Sequence, residues 1–268
     1  MEPGEQLSLK PEDPKDVKKS IPYLWGTVAF SPDGKKLAIG GSDDKVKLWD
    51  MATQKSTFLR DDKGQCAAPW VVFSPDGKTL VAGVRCHGFI RLFDVATERT
   101  IAAFHTEGYL AAIALNPDGK TLVTASAWDV IEVWDVVTGK RTDTRRTSGE
   151  FQVSAAAISR DCKILATTSS KDNNIKLWDV VTGKQREIIK GHTAKVKFVV
   201  FSPDGKTLAS GDENGTIKLW TVADGKELAT VKGHTSAIRC LAFSADSEVL
   251  ASGSADKTIK LWNTAKAK

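Results

Sequence analysis

The sequence is poor in residues that carry covalent, redox or metal chemistry. It has only four cysteines in 268 residues, at 66, 86, 162 and 240, with no CxxC pair among them, so neither a disulfide framework nor a compact thiolate site is indicated. Cys162 and Cys240 fall in turn or apolar positions of a recurring pattern, where burial as small hydrophobes is the expected role. A reduced, cytoplasmic setting fits this usage. Cys86 and His87 are adjacent, but no further His or Cys stands near them at a ligand spacing, so no metal and no cofactor is expected. No P-loop, dinucleotide fingerprint, GxSxG elbow or paired catalytic carboxylates occur. No apolar run approaches the roughly 20 residues of a membrane helix, and the opening MEPGEQLSLKPEDPKDVKKS, with early acids and no apolar core, does not read as a secretory signal. Charge of one sign is not in large excess: 38 basic against 33 acidic residues leave +5. Lys78, Lys120, Lys163 and Lys206 recur at one turn position, which spreads that surplus around a rim instead of concentrating it in a nucleic-acid stripe.

What the chain has is repetition. An aromatic closes each of six units, at Trp49, Phe93, Trp134, Trp178, Trp220 and Trp262, at intervals of 44, 41, 44, 42 and 42 residues. An apolar residue before the first turn keeps the same register, at Phe30, Phe73, Leu115, Ile158, Phe201 and Phe243. Two markers in step over six units define a repeat architecture. In the fifth unit KVKFVVF (195–201) reads as a strand, SPDG (202–205) as a turn and KTLASG (206–211) as a second strand. Pro203 presets φ in that turn, and Gly205 accepts a positive φ. After a loop come TIKLW (216–220), a VADGK hairpin and ELATVK (227–232). The SPDG or NPDG turn is intact at 31–34, 74–77, 116–119 and 202–205 and decays to SRDC (159–162) and SADS (244–247). No segment of ten residues carries a helical period. A four-stranded sheet of this length cannot bury both faces alone, and radial stacking of such sheets solves that in a β-propeller. The expected fold is therefore all-β, a six-bladed propeller forming a single domain over 1–268. A seventh blade is expected only if the chain is part of a longer one.

The motifs GH (191–192, 233–234), FSPDG, LASG and KLWD (47–50, 176–179) resemble the WD40 repeat over residues 22 to 263. Their phrasing, SPDGKTLASG and DVVTGK, resembles bacterial members. The resemblance implies that an N-terminal strand, EQLSLK (5–10), closes the last blade, with PEDPKDVKK (11–19) as connector. His234, Ser252, Asp256 and Trp262 could pass for a Ser–His–Asp triad, since geometry and not order defines one. The resemblance implies a structural network instead: the His bridges Ser and Asp, and the indole N–H bonds the Ser, rigidifying the blade. The fifth unit keeps His192, Ser210 and Trp220, with Asn214 at the Asp position. The third keeps Thr124 and Trp134, with Trp128 at the Asp position and His105 as counterpart of the GH histidine. The fourth keeps Asp172 and Trp178 without a His, and the second has Phe93 for the Trp. The first keeps Asp43 and Trp49, with Ile39 in place of the Ser. C-terminal blades are therefore expected to be the firmer. Trp25 and Trp70 are expected as core aromatics.

Functional side chains are expected where the copies disagree, at the rim of the central channel. In WD40 proteins that face is shaped by residues early in the first strand and in the loop before the third. By alignment these are Tyr109, Gln152, Ser154, Lys195, Lys197 and Arg239, with Arg85, Trp128, Lys171 and Glu213 from the loops. Trp128 either faces the rim or packs down between blades. Trp, Tyr and Arg dominate binding hot spots, so the expected function is a non-enzymatic, monomeric scaffold that binds a protein or peptide on the channel face. A second reading is electrostatic binding of nucleic acid or another polyanion by the same lysines; a more remote one is a propeller-based enzyme.

Overall fold

The computed structural model describes residues 28–40, 46–59, 70–83, 88–128, 130–146, 153–169 and 171–264. They form six antiparallel sheets, one per repeat, the blades of a six-bladed β-propeller. Blade five shows the pattern: Val196–Phe201, Thr207–Asp212, Ile217–Thr221 and Glu227–Val231, paired in sequence order from the channel outwards. Five blades have four strands, and the sixth has three among the described residues: Ile238–Phe243, Val249–Ser254 and Ile259–Asn263. The expected closing strand (5–10), its connector and Trp25 lie outside the described residues.

The turns follow from their side chains. Gly205 adopts φ +70°, its N–H donates to the Ser202 carbonyl at 2.9 Å, and the Ser202 hydroxyl donates to Asp204 at 2.5 Å. The decayed copies keep this geometry without glycine: Cys162 stands at φ 57° and Ser247 at φ 63°, a conformation that costs a side chain roughly 1–2 kcal/mol. The Asp that follows the closing aromatic caps the next hairpin. Asp135 Oδ1, for example, accepts the Thr138 N–H at 2.7 Å and its hydroxyl at 2.9 Å.

Each blade buries the third-strand residues of one sheet against the first strand of the next. Ala209, Ile217 and Leu219 pack with Ile238, Leu241 and Leu250 in one such layer, and Ala166, Ile175 and Leu177 with Val196, Val199 and Phe201 in another. The two terminal faces differ. Ile259 and Leu261 are 81% and 71% exposed, where their equivalents Ile217 and Leu219 are at 0% and 2%. Val28 and Phe30 are 63% and 59% exposed, against 4% and 8% for Val199 and Phe201. Trp262 is accordingly only half-buried, whereas Trp178 and Trp220 are fully buried. The sixth blade, the most regular in sequence, is thus less well packed than the fourth and fifth, which qualifies the expectation of a firm C-terminal end.

Candidate functional site

The His–Ser–Asp–Trp sets prove to be internal struts. In blade six His234 Nε2 meets Ser252 Oγ at 2.7 Å, Nδ1 meets Asp256 Oδ2 at 2.8 Å, and Trp262 Nε1 donates to Ser252 Oγ at 2.8 Å. The Thr258 hydroxyl, the Thr235 N–H and His234 hold the Asp256 carboxyl well below the usual carboxylate range, against the effect of burial. Ser252 is buried and its oxygen already serves the indole and the imidazole. The set braces two strands and offers no nucleophile to the surface.

Blade five corrects the sequence reading. Asn214 does not hold the Asp position; the carboxylate comes from Asp212, at the end of the second strand. Asp212 Oδ2 lies 2.9 Å from His192 Nδ1, while His192 Nε2 meets Ser210 Oγ at 2.7 Å and Trp220 donates to the same oxygen at 2.7 Å. Asp212 Oδ1 accepts the Asn214 and Thr216 N–H groups, so one buried carboxylate joins the loop to the network. Alignment missed it because Asp212 aligns with Ser254, two residues ahead of Asp256. Burial lowers the His192 pKa, and Asp212 opposes that shift.

The remaining blades keep only the indole bond or lose it. Trp134 donates to Thr124 at 3.1 Å and Trp178 to Thr167 at 2.8 Å. The expectation for His105 fails: it ends the outer strand of blade two, exposed and edge-on to Phe89 at 4.7 Å. The GH histidine's place goes to Thr106, which is buried and donates to the Gly88 carbonyl at 3.1 Å. Gly88 has φ +64°, and a Cβ there would meet Thr106 Oγ1 at 2.4 Å, so this loop needs glycine on both counts. Buried Glu132, bonded to Arg141, fills the strand position held by Lys218 and Lys260 in later blades. In blade one Trp49 Nε1 is buried without a hydrogen-bond partner among the described residues, the consequence of Ile39 standing where the Ser should be. Cys162 is a buried thiol whose pKa burial pushes up to about 12, as expected of a packing residue, whereas Cys240 is exposed and the expectation of burial fails there.

The candidate site lies at the channel. A cavity of about 710 Å³ is lined by first strands of blades two to six, among them Trp70, Tyr109, Ala111, Ser154, Lys197 and Arg239. The device that places several of these is a repeated β-bulge. Pairing jumps from Leu110 to Ala112, from Val153 to Ala155, from Val196 to Phe198 and from Ile238 to Cys240. The unpaired residues left over are Ala111, Ser154, Lys197 and Arg239, each re-aimed by its bulge. Two small residues on blades three and four thus face two cations on blades five and six. Lys197 reaches Glu213 at 3.4 Å across half-exposed side chains, a pair worth little. Arg239 has no ion pair among the described residues.

Trp128 does not pack down between blades. It is 59% exposed, lies over Gly108, which has φ +82°, and meets Tyr109 edge-on at 5.7 Å. The structure therefore brings Tyr109, Lys197 and Arg239 to one cavity, with Trp128 against Tyr109 and Glu213 against Lys197. Lys171 and Lys195 are exposed but do not line the cavity. Ser154 turns to Thr168 and the Val196 carbonyl. Arg85, Gln152, Cys86, His87 and Asp43 lie outside the described residues.

Six radial antiparallel blades, two of them braced by a complete His–Ser–Asp–Trp strut, define a WD40-type β-propeller. Residues 112–267 match the family model of the WDR19 first β-propeller, and residues 26–50 match that of the WD domain, G-beta repeat. The chain belongs to the WD40 β-propeller family. It is 30% identical over 190 residues to the periodic tryptophan protein 2 homolog of Dictyostelium discoideum, covering 69% of this chain and 20% of that protein. It is 26% identical over 205 residues to a guanine nucleotide-binding protein subunit beta of Solanum tuberosum, covering 69% and 52%. It is 31% identical over 119 residues to the small ribosomal subunit protein RACK1 of Schizosaccharomyces pombe, covering 41% and 37%. The chain spans between about a fifth and about half of the length of these relatives. All three are eukaryotic, and they lend no support to the bacterial character suggested by the repeat phrasing.

Proposed function

We propose that this propeller is a non-catalytic platform that binds a protein or peptide segment at the channel mouth, in a cytoplasmic setting. The observation that carries the reading is the exposed Trp128–Tyr109 pair beside a cavity whose charged wall is set by β-bulges on rigid strands. Aromatics and arginine on a preorganised concave surface are the usual energetic centre of an interface. Ser252 and Ser210, the only hydroxyls bound to histidine among the described residues apart from Thr258, are committed to indole N–H groups. Relatives named as a subunit of a guanine nucleotide-binding protein and as a small ribosomal subunit protein support a role within assemblies. The test is affinity capture with the parent chain against Trp128→Ala and against Lys195→Glu/Lys197→Glu, all shown to be folded by melting. Loss of specific partners is the expected result; an unchanged partner set would remove the site assignment.

A further inference from the structure

Resting on that reading, we infer the chemistry of the segment that the channel mouth takes: an extended acidic peptide that places an aliphatic or aromatic side chain next to an Asp or Glu. The cavity is asymmetric. On the side of blade three its wall is Ala111 and Ile113, with the Tyr109–Trp128 pair as its lip. On blades five and six the bulged residues are Lys197 and Arg239. Among the described residues no aspartate or glutamate lines the cavity. Among the described residues one of the two cations is met by an acid, Lys197 by Glu213 at 3.4 Å. Arg239 therefore presents a planar guanidinium, without an ion pair among the described residues, to whatever enters, and a carboxylate is the group its fork fits.

The same four bulges explain why both chemistries meet in one place. Ala111 and Ser154 leave room where a long side chain would fill it, and Lys197 and Arg239 supply charge at the equivalent register on the next two blades. An apolar group seated against the alanine wall puts its neighbour's carboxylate within the reach of a long cationic side chain. A cationic or purely polar segment gains nothing from the apolar wall and meets like charge across it. A nucleic acid would satisfy the cations but leave that wall wet.

The test pans a library of short random linear peptides against the full chain and measures the selected peptides by fluorescence anisotropy. The expected selection is Asp or Glu adjacent to Leu, Ile, Val or Phe. Arg239→Glu, an exposed change verified by an unaltered melting curve, should weaken these peptides about tenfold or more. Ala111→Phe should weaken them by filling the wall, whatever their charge. Selection of basic or charge-indifferent peptides, no enrichment at all, or affinities unmoved by Arg239→Glu would each overturn the inference. So would oligo(dT) that competes and is insensitive to Ala111→Phe. If Trp128→Ala abolishes binding while Arg239→Glu does not, the channel mouth stands as the site and only the acidic chemistry fails. If neither change matters, the site itself fails.

Discussion

The lone indole of blade one offers the sharpest check on the reading of the repeats. Trp49 is buried and its Nε1 has no partner among the described residues, whereas Trp134, Trp178, Trp220 and Trp262 each donate to a hydroxyl at 2.7–3.1 Å. The equivalent residue in blade one is Ile39, which pairs with Lys47 as Ser210 pairs with Lys218. Ile39→Thr should place an acceptor there; Thr124 and Thr167 already show that threonine serves. Relieving an unsatisfied buried donor is worth about 1–3 kcal/mol. Against this stands the lost alkyl group, at about 0.8 kcal/mol per fully buried methylene, reduced because Ile39 is only half-buried. Both residues are β-branched, so strand propensity hardly changes. The net expectation is a gain of about 1 kcal/mol, or roughly 2–4 °C in Tm for a domain of this size. Urea and thermal unfolding should be measured for Ile39→Thr in the parent and in a Trp49→Phe background, which removes the donor. The gain must vanish in that background, where the change should cost about 1 kcal/mol. A stabilisation that persists without the indole, or a loss of similar size in both backgrounds, would refute the argument.

Three further outcomes follow from the same geometry. Trp220→Ala, at a fully buried site, should cost about 3–5 kcal/mol, and Trp262→Ala distinctly less because that indole is half-exposed; equal losses in chemical denaturation would mean that the sixth blade is covered in solution. Lys257 adopts φ 68° where the equivalent Gly215 of blade five stands at φ 85°, so Lys257→Gly should leave Tm unchanged or raise it by up to about 1 kcal/mol equivalent, and a clear destabilisation would show that the loop is misplaced. The His192 pKa is lowered by burial from its ordinary value of 6.5, so below that value the unfolded chain takes up a proton that the folded one resists. Its contribution to stability is therefore present above pH 6.5 and declines as pH falls towards and through the folded value. Melting across pH 7.5 to 5 should show this decline, and a His192→Gln variant should show it weakened.

Much of the fold is written in local chemistry. Pro203 and Gly205 state a turn, the period-two strands on either side state a hairpin, and repetition at a constant interval states that such sheets stack radially. The four-residue network of blade six was likewise legible, because its members keep their spacing. Where spacing shifted, reading failed. Asp212 does the work assigned to position 214 because a carboxylate at a strand end can reach the same histidine nitrogen through space. Thr106, not His105, sits in the histidine's place because register across the sheet, and not residue type, decides which side chain turns inwards.

What the sequence alone determined is the unit: its turns, its strands, and the polar strut that an indole, a hydroxyl, an imidazole and a carboxylate form when their positions are kept. What the tertiary structure decided is which faces stay bare and where the odd residues point. Val28, Phe30, Ile259 and Leu261 have the same apolar character as their buried counterparts, and only the packing of neighbouring blades distinguishes them. Lys197 and Arg239 line the channel with Ala111 because a bulge on each inner strand frees one residue from pairing. Trp128 stands at the lip because Gly108 leaves it a flat bed. Burial and direction are properties of neighbours brought together by the fold, and a single chain of letters specifies them only through the structure it builds.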